Sequence, residues 1–537
     1  MNVHDPAARL SLPDLLSTST SLFERVHEPL LPGAPGRRGL SVRYVHRKPG
    51  RGLAVTYTVY AWPAAGGPRA CLRIHPGQTT QLVSLTLDEH ALDGPWIRFS
   101  AGQVHQAPVE VQPPGVVRVR DLGLCVQAFP ADSGLPALAA SCTPTAQGPL
   151  WQALQSAACA QLGDDAWRLV AARAEPVRYK PANRCVLRYH LTLEHPHVRG
   201  HEPSAHRTLT LFGKVYADLH QACFLEAMMQ RLYEEQRGLR AGTRAGHSAA
   251  APFLLRPLGL VAALGLRLDA AVQPTDGHAE PVRTGLQVLR PQVLRGRAGR
   301  ITTAIIPCEE LRSTALALAR LHTSAVRPTE TMLRTAAQEA KRACERAALI
   351  AACHPMQASA VLQLAQQLAR HLDPLPPDAY RPAHGAFKPS QLLFQGPHVV
   401  VVDFDGFCLA DAALDVAYFL AYLRPSGLWY HRPGLRQWLE AAAGVFAGAY
   451  RTAMLERGVA HAVIDGILDR ARLYEAALLF KIVTRRIHRL NSSRPQELSA
   501  MLDEIATCLA GEAQVLTDDE STRSQQWRCS WQVDLEH

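Results

Sequence analysis

The feature that most constrains this chain lies between residues 384 and 423. HGAFKPSQLLF (384–394) sets apolar side chains around a Lys-Pro turn, and HVVVVDFDGF (398–407) follows as an apolar run ending on Asp403. DAALDVAYFLAYL (411–423) then places apolar residues at helical spacing behind Asp411 and Asp415. The succession demands a buried strand, a turn and a helix in close order. A buried β-run with an Asp at its end is a good way to hold a metal ligand: the strand fixes the backbone and the turn exposes the carboxylate. Asp411 and Asp415 suit a different task, bracing the loop through backbone amides.

The rest of the chain changes character near residue 305. Upstream, LSVRYVHRKPGRGLAVTYTVY (40–60) and EPVRYKPANRCVLRYHLTL (175–193) both read as strand, Lys-Pro turn, strand. Lys48-Pro49 matches Lys180-Pro181, and Tyr57 matches Tyr189. A second echo pairs VQAFPAD (126–132) with GKVYAD (213–218) and sets Gln127 near the place of Lys214. Two echoes in one order suggest an internal duplication of a β-rich unit. A helix is expected over QACFLEAMMQRLYEEQRG, stopping near Gly238, with strands over PLGLVAALGLRLDAAV and TGLQVLRPQVLRG. EHPHVRGHEPSAH (194–206) reads as a solvated polar loop. Downstream, amphipathic helices are expected over CEELRSTALALARLHTS and over 330–350, 356–372, 433–455, 462–490 and 494–514, before a loose tail.

The net charge is +10, but the basic residues are dispersed and form no block of like charge, so nucleic acid is the outsider among partners. Only six of the 57 cationic residues are lysines: Lys48, Lys180, Lys214, Lys341, Lys388 and Lys481. A lysine is a compact charge on a flexible stem and an arginine a rigid fork, so a lysine retained in an arginine-rich chain draws notice. The twelve cysteines include no C-x-x-C pair and fit reduced thiols in a cytoplasm. The N-terminus lacks the pattern of a signal peptide, and no run of eighteen apolar residues suggests a membrane span.

HGAFKPSQLLF, VVVVDFDGF and DAALDVAYFL together resemble the aminoglycoside phosphotransferase/choline kinase-like family, whose pattern is HGD-x4-N, then an apolar run ending in Asp, then D-P-x-x-D-L-A. The resemblance covers about residues 165–510. It implies an α+β, two-lobed protein-kinase-like fold, with a β-rich N-lobe over 149–300 and a helical C-lobe over 301–515. An additional β-rich N-lobe-like unit (1–148) precedes it and a flexible tail (516–537) follows.

The resemblance also implies ATP and Mg²⁺ as cofactors. Lys214 stands for the nucleotide-binding lysine, with Glu226 as its first-choice partner and Glu234 second. Lys180 and Arg184 lie in the turn KPANR, where a phosphate-covering loop would sit, though it has no GxGxxG glycines. Asp403 would bind Mg²⁺, Lys388 would stabilise charge on the transferred group, and His384 would anchor the loop.

Two departures bear on activity. Ala386 stands where the family has the Asp that accepts the substrate's proton, and Gln391 where it has the metal-binding Asn. Gln keeps the amide oxygen but adds a methylene, which suits octahedral Mg²⁺ less well. The leading expectation is therefore a nucleotide-binding protein that is catalytically degenerate, pseudokinase-like, with the N-terminal unit as a surface for a protein partner. The alternative is an active ATP-dependent phosphotransferase on a small hydroxyl- or amine-bearing acceptor, using a displaced base or substrate-assisted chemistry. Asp405, two residues after Asp403, is the candidate displaced base, since on a strand both would face one side. Transfer of another part of the nucleotide, such as AMP, is a third reading.

Overall fold

The computed structural model describes residues 38–48, 52–61, 81–87, 110–112, 116–119, 124–195, 205–241, 252–272, 281–295, 301–329, 332–372, 374–376, 379–396, 398–424, 433–487 and 495–510. The N-terminal segment, the centre of the polar loop at 194–206, the end of the helix expected over 494–514 and the tail at 516–537 lie outside these residues. The chain divides into two compact units, one of residues 1–226, 257–271 and 488–491, the other of 227–256, 272–487 and 492–537.

The first unit holds two antiparallel sheets. One contains β1 (Arg38–Lys48), β2 (Gly52–Ala61), β3 (Gln81–Leu87), β4 (Glu110–Gln112), β5 (Val116–Val119) and β6 (Leu124–Ala128), in the order β1-β2-β3-β6-β5-β4. Helices α1 (Leu138–Cys142) and α2 (Pro149–Leu162) follow. The other sheet contains β7 (Arg168–Lys180), β8 (Arg184–His195) and β9 (Ala205–Tyr216). After helix α3 (Leu219–Ala241), which belongs to this unit up to Glu226, come β10 (Pro257–Val261) and β11 (Leu266–Ala270). The order is β7-β8-β9-β11-β10. Both sheets thus run three strands in sequence, then the last strand, then the one before it; β4 is an extra edge strand in the first.

The two hairpins also share their closing pair. Lys48 pairs with Gly52 and Lys180 with Arg184, and in each the residue after the lysine is a Pro. Proline has no N–H for the ladder, so each strand ends on its lysine. The second echo read from sequence does not hold. Gln127 lies on β6, whose topological counterpart is β11, not the strand of Lys214. Tyr57 pairs with Val83 and Tyr189 with Leu211; counting three residues on along β3 and β9 puts Thr86 where the second sheet has Lys214.

Strand β8 buries alternate residues, Cys185, Leu187, Tyr189, Leu191 and Leu193. A period of two places them on one face, which packs with Leu150 and Leu154 of α2 and with Leu266 and Leu268. Each leucine buried in this way contributes roughly 1.5–3 kcal/mol of transfer free energy. The α3 helix continues past Gly238 to Ala241, since one glycine costs only about 1 kcal/mol in a helix and no proline follows it.

The second unit begins its described course after α3 with β12 (Arg283–Thr284) and a short helix α4 (Gly285–Val288). Part of TGLQVLRPQVLRG is therefore helical rather than strand. The reason is a Thr-x-x-Gln cap, in which the Thr284 N–H donates to Gln287 Oε1 at 2.8 Å. The hairpin β13 (Gln292–Arg295) and β14 (Ile301–Ile305) follows, then α5 (Cys308–His322), β15 (Leu333–Arg334), α6 (Ala336–Cys353) and α7 (Ala358–His371). A second Thr-x-x-Gln cap, at Thr335 and Gln338, starts α6 six residues later than the periodicity predicted and frees Leu333–Arg334 for β15. Next come β16 (Arg381–Ala383), β17 (Leu392–Gln395), β18 (His398–Val401) and β19 (Cys408–Ala410). Helices α8 (Ala413–Leu423), α9 (Pro433–Leu455), α10 (His461–Ile487) and α11 (Pro495–Ala510) complete the unit. Two small sheets, β15-β19-β16 and β12-β17-β18, frame the stretch 384–391, which leaves one at β16 and enters the other at β17. Among the described residues no helix is long and apolar enough to cross a membrane.

Candidate active site

The stretch 384–391 is held from below by one buried carboxylate. Asp415, on α8, is fully buried and accepts from the His384 N–H at 2.5 Å and the Phe387 N–H at 3.4 Å. Its oxygen also lies 3.6 Å from Nε2 of His322, whose Nδ1 stands 2.7 Å from the Tyr450 hydroxyl. Burial pushes the Asp415 carboxyl up, but the contacts with His322 and His384 outweigh it and hold it below the usual carboxylate range. Asp411 accepts from the Ala413 N–H at 3.0 Å and pairs with Arg470 at 2.7 Å.

His384 is an anchor. It is fully buried, its Nε2 donates to the Val402 carbonyl at 3.1 Å, and its ring lies 4.7 Å from that of Phe404. Burial lowers its pKa, and the nearby carboxylates do not restore it. Gly385 has φ +72°, and a Cβ there would lie 2.2 Å from the Gly406 carbonyl oxygen. Only glycine fits that position. Arg334 donates to the Gly385 carbonyl at 2.5 Å, one residue before Ala386.

At the far end of the stretch the metal-side residues come together. Gln391 closes a 3-10 turn (Pro389–Gln391), and its Nε2 lies 3.4 Å from Asp403 Oδ2. Gln391 is 5 % exposed, and its Oε1 is buried with no hydrogen-bond partner among the described residues. A half-turn of the terminal amide would bring that oxygen to the carboxylate side. The amide oxygen and the carboxylate are both hard oxygen donors, so the pair would fit a hard cation. The added methylene does not keep the amide from Asp403. Among the described residues no group of three His, Cys, Asp or Glu could hold a metal by itself.

Asp403 has φ +68°, a left-handed conformation that among non-glycine residues Asp tolerates better than most. This corrects the reading of Asp405. The strand ends at Val401, and Asp405 lies in the 3-10 turn Phe404–Gly406, so the two acids do not share a strand face. Lys388 sets its Nζ 5.5 Å from the Tyr422 ring centroid.

In the first unit, Lys214 is 9 % exposed on β9, with Nζ 5.4 Å from the Tyr216 ring centroid. Gly213 precedes it because a Cβ there would lie 2.5 Å from the Tyr189 ring and 2.8 Å from Leu266. Glu226, on the part of α3 in the same unit, raises the pKa of Arg267, which pairs with Asp269 at 2.5 Å. Glu234 is exposed, while Glu235 accepts from Ser324 at 2.6 Å and the Ala325 N–H at 2.7 Å.

The turn carrying Lys180 and Arg184 is pinned by Asp132, a residue that sequence reasoning did not single out as functional. Its Oδ2 accepts from the Tyr179 hydroxyl at 2.7 Å and the Ala182 N–H at 2.8 Å, and its Oδ1 from the Gly134 N–H at 2.8 Å. The other residues missed were Arg334, Tyr418 and Lys481. Lysine scarcity pointed at Lys481; no sequence signal pointed at the other two.

Residues 307–455 match the model of the phosphotransferase enzyme family. No curated protein matches the chain. Among solved structures, a choline kinase from Streptococcus pneumoniae is 11 % identical, covers 68 % of this chain and 99 % of its own, and overlays with a TM-score of 0.35. A spectinomycin phosphotransferase in complex with ADP and spectinomycin is 10 % identical, with 64 % and 93 % covered and a TM-score of 0.33. A glucosamine kinase is 15 % identical, with 91 % and 97 % covered and a TM-score of 0.36. The residues that match the phosphotransferase enzyme family run from α5 to α9, with the stretch 384–394 and Asp403 near their centre.

Proposed function

We propose that this protein binds ATP with Mg²⁺ and transfers the γ-phosphoryl group to a small acceptor without a carboxylate base on its loop. The observation that carries this reading is the buried, unpartnered Oε1 of Gln391 beside Asp403. A buried amide oxygen left without a partner costs about 1–3 kcal/mol, and a bound cation would remove that cost. The phosphotransferase family segment and the naming of ADP in one similar structure are consistent with it.

Asp403 and Gln391 would hold the Mg²⁺, which when bound neutralises charge on the phosphate oxygens. Lys214 binds phosphate oxygens of the nucleotide, and Glu226 holds Lys214 in place. Lys180 and Arg184, on a turn that Asp132 keeps rigid, contribute further positive charge. Lys388 stabilises the transferred group. Phosphoryl transfer depends mainly on positioning and charge, so loss of a general base lowers the rate by about 10²–10⁴-fold without abolishing it. The amine- and hydroxyl-bearing compounds named for the similar kinases suggest a hydroxyl acceptor here.

Ala386 favours a second reading, in which the nucleotide is bound and not turned over, and the protein acts through a partner held by its N-terminal unit.

Calorimetric titration with ATP, with and without Mg²⁺, tests the first step on wild type, Lys214→Ala and Asp403→Ala. Magnesium-dependent binding lost in both variants supports the nucleotide reading; no binding at millimolar ATP ends it. ADP release in the presence of acceptor then separates the two readings.

A further inference from the structure

Beside the loop, a group of side chains outside the nucleotide-binding set gathers around one phenol. Tyr418, on α8, is 2 % exposed, and its hydroxyl lies 2.5 Å from Lys481 Nζ on α10 and 3.4 Å from Arg334 Nη2 on β15. Arg334 also donates to Glu339 at 2.6 Å, and Arg342 pairs with the same carboxylate. Arg346, one turn further along α6, is only half-buried, yet its Nη1 is buried with no hydrogen-bond partner among the described residues. Tyr422 stacks on Tyr418 with rings 6.1 Å apart and 11° from parallel, and Lys388 of the loop sits over Tyr422.

Cations crowd this group: Arg334, Arg342, Arg346 and Lys481 act on Tyr418 or Glu339. Two effects report the crowding. Burial pushes the Tyr418 phenol up, but Lys481 and Arg334 outweigh it and bring it down to about 8. Burial lowers the pKa of Arg346, and Arg342 and Arg334 lower it further against the pull of Glu339 and Tyr418. The buried Nη1 of Arg346, with no acceptor among the described residues, is a donor open to an anion.

We propose that Arg346, Lys481 and Lys388, over the stacked Tyr418 and Tyr422, form an anion-binding subsite beside the loop, and that it receives a phosphate or carboxylate group of the acceptor. This acceptor role rests on the phosphotransferase reading. It also gives Ala386 a physical reason, because an Asp at that position would repel an acceptor anion. In the transfer step the acceptor hydroxyl oxygen bonds to the γ-phosphorus as the bond from phosphorus to the β–γ bridging oxygen breaks. ADP leaves with that electron pair, and the hydroxyl proton passes to the acceptor's own anionic oxygen. The substrate then supplies the base that the loop lacks.

The first test titrates the full chain with inorganic phosphate while following the phenolate absorbance of Tyr418, assigned by difference from Tyr418→Phe. Phosphate should raise the titration midpoint of Tyr418. Arg346→Gln and Lys481→Gln should each weaken phosphate binding about tenfold, equivalent to about 1.4 kcal/mol. Arg346→Lys, which keeps the charge, should bind within a few-fold of wild type. Asp403→Ala should bind phosphate as wild type does, even as it loses magnesium-dependent ATP binding. The subsite is overturned if phosphate leaves the midpoint unmoved, if Arg346→Gln binds as tightly as wild type, or if Asp403→Ala abolishes phosphate binding. The acceptor role is tested separately with glycerol 3-phosphate and glycerol. Faster ADP release with the anion alone supports it, and equal rates refute it. Phosphate binding that survives in a protein unable to bind ATP would sink the nucleotide reading and the acceptor role but keep the subsite.

Discussion

The buried support of the loop and its working positions are close in sequence but subject to different constraints. His384, Asp415, His322 and Tyr450 are buried within a few per cent of completely, and Asp415 holds two backbone N–H groups. At 386 and 391 the chain departs from the HGD-x4-N pattern that the stretch resembles, and Asp403 sits in a left-handed conformation. A buried polar group without its partner costs the fold directly, so the support tolerates little change. Ala386 is half-buried, and its methyl side chain has no hydrogen-bonding group with which to brace the loop. A loop can therefore keep its shape while its chemistry is rewritten.

The largest expected effect comes from breaking the support. Asp415→Ala leaves two N–H groups and His322 without their carboxylate and should cost about 3–5 kcal/mol in denaturant unfolding. A loss below 1 kcal/mol would show that the support and the working positions do not differ in kind. The next change acts on the working side alone. Ala386→Asp should leave the unfolding midpoint unchanged and raise phosphoryl transfer to a neutral alcohol by about 10²–10⁴-fold. With an anionic acceptor the same variant should raise KM instead, which steady-state kinetics would reveal. Asp403→Ala should weaken magnesium-dependent ATP binding at least about tenfold, or 1.4 kcal/mol, in calorimetry while the chain stays folded.

The smallest effect sharpens the comparison through pH. The folded pKa of Tyr418 lies at about 8 against an ordinary 10. A depressed acid stabilises the fold fully above its unfolded pKa and loses that contribution as pH falls through its folded pKa. The stability of wild type relative to Tyr418→Phe should thus grow between about pH 8 and pH 10, and denaturation at both pH values would measure it. A constant difference would mean that the phenol does not ionise in this range.

Much of the site could be read because its signals are local. His384, Gly385, Lys388, Gln391, Asp403, Asp411 and Asp415 fall within one stretch whose strand and helix periods are plain. The Lys-Pro turns marked both hairpins for the same reason. The errors arose where a short-range competitor decided the backbone. Thr-x-x-Gln caps turned part of one expected strand into a helix and delayed α6. The strand stopped at Val401 and a 3-10 turn took Asp405, so the two acids could not share a strand face. The echo of GKVYAD at VQAFPAD failed because similarity of letters does not specify strand order, which follows from pairing.

By itself the sequence determined the change from strands to helices near residue 305, the loop and its two departures, the two matching hairpins and the scarcity of lysine. Each is set by a spacing of a few residues, within the range where backbone geometry follows side-chain pattern. Only the tertiary structure decided that Arg334 and Lys481, 84 and 63 residues from Tyr418, would meet at its hydroxyl, and that Asp132 would pin a turn 50 residues away. Contacts over such distances depend on how helices and sheets pack, and packing depends on the whole buried surface rather than on any one segment.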